Sequence, residues 1–125
     1  MKQEEILRTP CLKVLPAVND AIYVIGGKWK LRIIIALSEG AVRFNELQRH
    51  LDGISARVLS GELKDLEQNG FVKRIVYPDA SVEYERTEYA ETLKPVLASL
   101  HAWGTMHRKN IMQHSKEQMV TDDKG

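Results

Sequence analysis

The stretch "RFNELQRHLDGISARVLSGELKDLEQNG", Arg43 to Gly70, constrains the fold more than any other part of the chain. Phe44, Leu47 and Leu51 recur on one face of a short helix, and Leu59, Leu63 and Leu66 on one face of a second. Between the two, "DGIS" leaves about four residues, one a glycine, for the change of direction. Ser55 offers a side-chain acceptor that caps the second helix, and Gly70 supplies its stop. Two short helices joined in this way are the signature of a helix-turn-helix.

The flanking segments extend that unit. After Pro16, "AVNDAIYVIGG" reads as a helix stopped by Gly26 and Gly27. "KWKLRIIIALSEG" reads as another, with Trp29, Ile33, Ala36 and Leu37 at helical spacing, Lys28 and Lys30 near its start and Gly40 at its end. "FVKRIVY" and "VEYERT" alternate around the turn "PDAS" and predict a two-stranded hairpin. Thr87 then caps a last helix, with Glu88 and Glu91 near its positive end, and Pro95 is expected to kink or interrupt it near its start. The polar ends, "MKQEEILRT" and "SKEQMVTDDKG", are expected to fray, with Ile6 and Leu7 available to dock on a partner surface. The fold class is therefore mainly α with a small β-hairpin: a winged helix-turn-helix with additional N- and C-terminal dimerisation helices. One domain spans residues 1–125, with a core over about 17–92, a C-terminal dimer helix over about 87–112 and a polar tail over 115–125.

Composition narrows the function by exclusion. Eighteen Lys and Arg against 17 Asp and Glu give a net charge of +1, so any basic surface has to come from local sorting. The single cysteine, Cys11, forms no internal disulfide, and no N-terminal apolar stretch resembles a secretion signal or membrane span, which points to the cytoplasm and away from a membrane. "IGGKWKLRIII" is not a phosphate-binding loop, because Trp29 follows Gly27-Lys28 and Ile22 stands where the first glycine belongs. His101, His107 and His114 lie six and seven residues apart, and two helical turns place the last pair about 10 Å from each other, too far to share an ion. No metal site, cofactor or catalytic motif is indicated, and the chain is not expected to be an enzyme.

Charge is sorted along the second helix of the pair. Arg57, Ser60, Gly61, Lys64 and Gln68 fall opposite the leucines, while Glu62, Asp65 and Glu67 lie on the flanks. The outer stripe is free of carboxylates although Arg43 to Arg74 carries six basic residues against five acidic ones. A helix lying along phosphate-lined groove walls requires that sorting: Arg57 suits guanine, Ser60 suits several bases, and Lys64 suits a phosphate. Lys28, Lys30, Arg43, Lys73 and Arg74 are the candidate supporting contacts to double-stranded DNA. Gly61, in mid-helix, fits either close approach of backbone to DNA or simple tolerance. In the last helix Leu93, Val96, Leu97, Leu100, Trp103, His107 and Ile111 share one arc, more apolar surface than so small a core needs, and part of it reads as a homodimer seam. The alternative is a winged-helix protein-interaction module, which near-neutral charge and an acidic wing tip would suit.

Together the blocks at Cys11, "IGGKWKLRII", "RFNELQRHLDGIS", "VLSGELKDLEQNGFVKR", "YPDASVEYERTEYAETLKPVL" and Trp103-Gly104 resemble the HxlR-type bacterial transcriptional regulators, winged-helix relatives of the MarR proteins. The resemblance runs from about Cys11 to Gly104. It implies a homodimeric DNA-binding regulator, with dimer contacts from the first and last helices and a recognition helix running from about Ser55 through Ala56. Cys11 matches a cysteine that some members use to sense electrophiles or oxidants, a role that Arg8 and Lys13 would favour by stabilising thiolate; the alternative is a partly buried packing cysteine, with a small molecule as the signal. Four places depart from the pattern: the tip "PDAS" brings an acid where a basic residue is usual, Ala90 replaces a glycine after the wing, and Ala56 and Gly61 replace longer polar residues in the reading helix. The effector is not specified by the sequence.

Overall fold

A computed structural model describes residues 11–124, with side chains over 12–119. In chain order the elements are α1 (Cys11–Ile25), α2 (Lys30–Ala36), β1 (Val42–Arg43), α3 (Phe44–His50), α4 (Ala56–Gln68), β2 (Val72–Val76), β3 (Val82–Arg86), a 3-10 turn (Tyr89–Leu93) and α5 (Lys94–Lys124). They form two compact units that divide after Ala90.

The core of the first unit is built from the periodic leucines and isoleucines. Leu59, Leu63 and Leu66 of α4 are buried together with Ile33, Ile34 and Leu37 from α2 and its end and with Leu47 and Leu51 from α3 and its end. Each such side chain contributes about 1.5–3 kcal/mol by leaving water. Between α3 and α4 the turn closes on itself: the Gln48 side-chain amide donates to the Ile54 carbonyl at 3.2 Å, and Gly53 takes the positive φ of 89° that its position demands. Ser55 stands just ahead of α4 and accepts from the Val58 amide at 3.1 Å, satisfying one of the free donors at the helix start. At the other end the Phe71 amide donates to the Leu66 carbonyl, with Gly70 at φ 84°, so the chain turns directly into β2.

β2 and β3 pair antiparallel with Val72 opposite Arg86 and Arg74 opposite Tyr84, and β1 adds a third strand on the far side of β3, giving the order β1-β3-β2. The Thr87 hydroxyl donates to the Gly70 carbonyl at 2.5 Å, tying the foot of the hairpin to the end of α4. A helix-turn-helix followed by a β-hairpin in this arrangement is a winged helix-turn-helix. The second unit is dominated by α5, whose 31 residues span about 46 Å. Among the described residues no helix is long and apolar enough to cross a membrane.

The structure departs from the sequence reading in four places. β1 was not anticipated, because two residues are too few to show alternation. Within the described residues α1 runs from Cys11 through Pro16 and does not start after it; Leu12, Leu15, Val18 and Ile22 keep helical spacing across the proline, which removes one backbone bond without ending the helix. Thr87 caps the 3-10 turn, accepting from the Ala90 amide, and Pro95 sits in the first turn of α5, where its missing N–H has no partner to lose. Finally α5 runs on to Lys124 where fraying was expected, while the N-terminal segment with Ile6 and Leu7 lies outside the described residues.

One ion pair joins α2 to α4. Lys30 Nζ lies 2.7 Å from Glu62 Oε2 and 3.6 Å from Asp65 Oδ2, with only 14% of the Lys30 side chain exposed. The hydrogen bond to Glu62 holds the ammonium above its ordinary titration range, against some loss of hydration. A group whose pKa is raised by folding stabilises below its unfolded value of 10.5 and loses that contribution as pH climbs through the folded value. Lys30→Met should therefore lower the unfolding free energy by about 1–2 kcal/mol at neutral pH, and the gap to wild type should narrow in strongly alkaline solution, as read by denaturant titration.

Candidate nucleic-acid interface

α4 presents its outer face to solvent because its inner face is fully committed to leucine packing. Ala56, Arg57, Ser60, Gly61 and Lys64 are all exposed, and Ser55 caps the helix beside them. Glu62 is half-buried toward Lys30, so one flanking acid is turned away from the stripe and neutralised. Gly61 has nothing within 4 Å of where a Cβ would stand, so no packing within the fold demands a glycine there.

The supporting cations divide into two groups. Lys30 is occupied by Glu62 and Asp65, which withdraws it from the outward-facing set in which the sequence reading placed it. Lys73 lies 3.5 Å from Glu85, its cross-strand neighbour, and Arg43, exposed in β1, stands opposite Glu83. Lys28 is exposed and sits 4.9 Å above the Trp29 ring, with the Arg32 guanidinium 5.3 Å from the same ring. Lys64 and Arg74 have no carboxylate within ion-pairing distance among the described residues.

Both line a depression of about 250 Å³, together with Ser60, Glu67 and Tyr84. Tyr84 and Glu67 escaped the sequence reading as site residues; the hairpin register, with Tyr84 directly opposite Arg74, is the signal that would have found the tyrosine. At the wing tip the Ser81 hydroxyl and amide donate to Asp79 at 2.6 and 3.0 Å, and these bonds hold its carboxyl below the usual carboxylate range. The tip is thus negatively charged at neutral pH.

On α5, Val96, Leu100, Trp103, His107 and Ile111 are exposed, Leu97 is half-buried, and the Trp103 and His107 rings stack at 4.8 Å. Leu93 precedes the helix, in the 3-10 turn, and is buried. Cys11 opens α1; its side chain and Arg8 lie outside the described residues. Among the described residues no three His, Cys, Asp or Glu side chains come together as metal ligands.

The profile of the HxlR-like helix-turn-helix family matches residues 24–112, which takes in α2 to α4, the wing and the first part of α5. The chain belongs to the HxlR-like helix-turn-helix family. Like its relatives it is a transcriptional regulator of helix-turn-helix type. An HTH-type transcriptional regulator of Halalkalibacterium halodurans is 46% identical over 90 residues, covering 70% of this chain and 80% of that one. YtcD of Bacillus subtilis is 37% identical over 113 residues, 86% of this chain and 90% of its own, and a crystal structure of ytcD superposes with a TM-score of 0.71 at 40% identity, covering 74% and 96%. The redox regulator HypR in its oxidized form gives a TM-score of 0.67 at 38% identity over 72% of this chain and 95% of that chain.

The open space at Gly61 separates fold from function in this HxlR-like chain. Gly61→Ala should raise the unfolding free energy by about 0.5–1 kcal/mol, since alanine is the better helix former and meets no obstacle. Thermal or denaturant unfolding checks this; destabilisation would show that the position carries a hidden constraint.

Proposed function

We propose that the chain is a homodimer that reads a pseudo-palindromic DNA site, with α4 of each protomer in a major groove, and that Cys11 couples it to an oxidant or electrophile. The observation that carries the DNA reading is the outer stripe of α4, Arg57, Ser60, Gly61 and Lys64, exposed on a helix whose opposite face is buried, with Glu67 the one carboxylate at its edge. Two reading helices related by a two-fold axis place half-site centres about one helical turn, some 10 base pairs, or a multiple of it apart. The dimer reading is supported by exposed apolar residues on two helices, Leu12, Leu15, Val18, Ile22 and Tyr23 on α1 and the Trp103 stripe on α5, an exposure that a lone chain rarely tolerates. The redox reading is supported by the likeness to the redox regulator HypR.

A specific observation favours the second reading, a winged-helix module for protein partners: the charged Asp79 at the wing tip repels phosphate. Selection from a random duplex pool with the full-length protein decides between them, followed by titration of the winning and a scrambled duplex at two salt concentrations. A two-fold symmetric winner whose affinity falls steeply with salt supports the regulator; no enrichment at low salt, with or without reductant, supports the module.

Within the regulator reading the residues have separable roles. Arg57→Ala should weaken the selected site by about 1–3 kcal/mol and relax one of its positions, while Lys28→Ala should weaken selected and scrambled DNA alike. Equal losses on both duplexes for Arg57→Ala would remove its base-reading role. On the same duplex, Cys11→Ser should bind as wild type under reductant and no longer respond to a quinone or diamide.

A further inference from the structure

The depression between α4 and the hairpin has a composition that the reading stripe alone does not explain. From α4 come Ser60, Lys64 and Glu67, spaced four and three residues apart and so on one helical face. From the sheet come Arg74 and Tyr84, directly opposed in the β2–β3 register and therefore on one face of it. The lining side chains thus bring an ammonium, a guanidinium, a phenol and a hydroxyl to one small space, with Glu67 the only carboxylate among them. Converging donors around a cationic pair suit a tetrahedral oxyanion.

The remaining candidate cations sharpen the contrast. Lys30 and Lys73 are held by carboxylates of the fold, Lys28 lies over Trp29, and Arg43 faces Glu83 across the sheet. Lys64 and Arg74 come from two separate elements, line one depression and, among the described residues, form no ion pair with an acid of the fold. We infer that this depression is a phosphate site, in which Lys64, Arg74 and Tyr84 hold one backbone phosphate of DNA and Glu67 limits how tightly it is held. The inference rests on the DNA reading given above and adds to it a positioning device. Lys64 lies seven residues beyond Arg57 on the same stripe, about 10 Å along the axis. A phosphate gripped at that end fixes how far the helix enters the groove, and hence which base edge Arg57 meets.

Tyr84 carries the part of this that is new to the site. Its ring stands 6.4 Å from that of Phe44, so Tyr84→Phe keeps the packing and removes only the hydroxyl. The test uses the full-length protein, wild type and the variants Arg74→Gln, Tyr84→Phe and Glu67→Gln, titrated on the selected and the scrambled duplex over a series of salt concentrations, with thermal unfolding of each. Arg74→Gln should weaken both duplexes by about tenfold and flatten the salt slope by about one. Tyr84→Phe should weaken both by about threefold with the slope unchanged, since no charge is lost. Glu67→Gln should tighten both by about threefold or more, a gain that misfolding cannot imitate. The site is overturned if wild type binds DNA while Arg74→Gln and Glu67→Gln leave affinity and slope as they were, or if their effects are confined to the selected duplex. Wild type failing to bind either duplex would instead defeat the DNA reading, and this site with it.

Discussion

The first unit depends on the seating of α4. Leu59, Leu63 and Leu66 are almost wholly removed from water, and a helix anchored along one face has no freedom to rotate about its axis. That single constraint determines which side chains meet solvent. It turns Arg57, Ser60 and Lys64 outward, leaves Glu62 where Lys30 can reach it, and aligns the end of the helix with the foot of the hairpin through Gly70 and Thr87. The turn from Leu51 to Ser55 serves the same end, since its glycine and its side-chain bonds set the angle at which α4 is delivered to the core.

What could be seen in the sequence was whatever expresses itself as a period. The leucine spacing of α3 and α4, the alternation of β2 and β3 and the long apolar arc of α5 are local patterns, and each appears as the element it implied. β1 was not visible because its two residues take strand geometry only through pairing with β3. The path of α1 through Pro16 was missed for a different reason: a proline is a stop signal in isolation, and here it costs one hydrogen bond within a helix that otherwise keeps its register. Lys30 shows the limit most clearly. Along the chain it looks like Lys28, one more cation at a helix start; in space it meets Glu62 and Asp65 from another helix, and no local pattern announces that meeting. The pairing of Arg74 with Tyr84 was within reach, because a hairpin with a known turn fixes its own register.

The wing illustrates how a family resemblance and a particular structure can diverge in detail. Its backbone is a hairpin closed by the Tyr77 amide donating to the Ser81 carbonyl and the Ala80 amide donating to the Tyr77 carbonyl, and Ala80 takes a φ of 70° that a glycine or asparagine would adopt more easily. The tip therefore spends its polar groups on its own turn, Ser81 on Asp79, and presents a negative charge outward. Positive charge is instead concentrated at the wing's base, where Arg74 stands beside α4.

The Lys30 ion pair has a consequence for how such a chain would search for its target. By binding Glu62 and Asp65 it removes two of the three acids on α4 from the outer field, while a net charge of +1 leaves the protein almost without attraction at distances beyond a Debye length. Long-range attraction then contributes little to binding DNA, which falls to the short-range contacts of the α4 stripe.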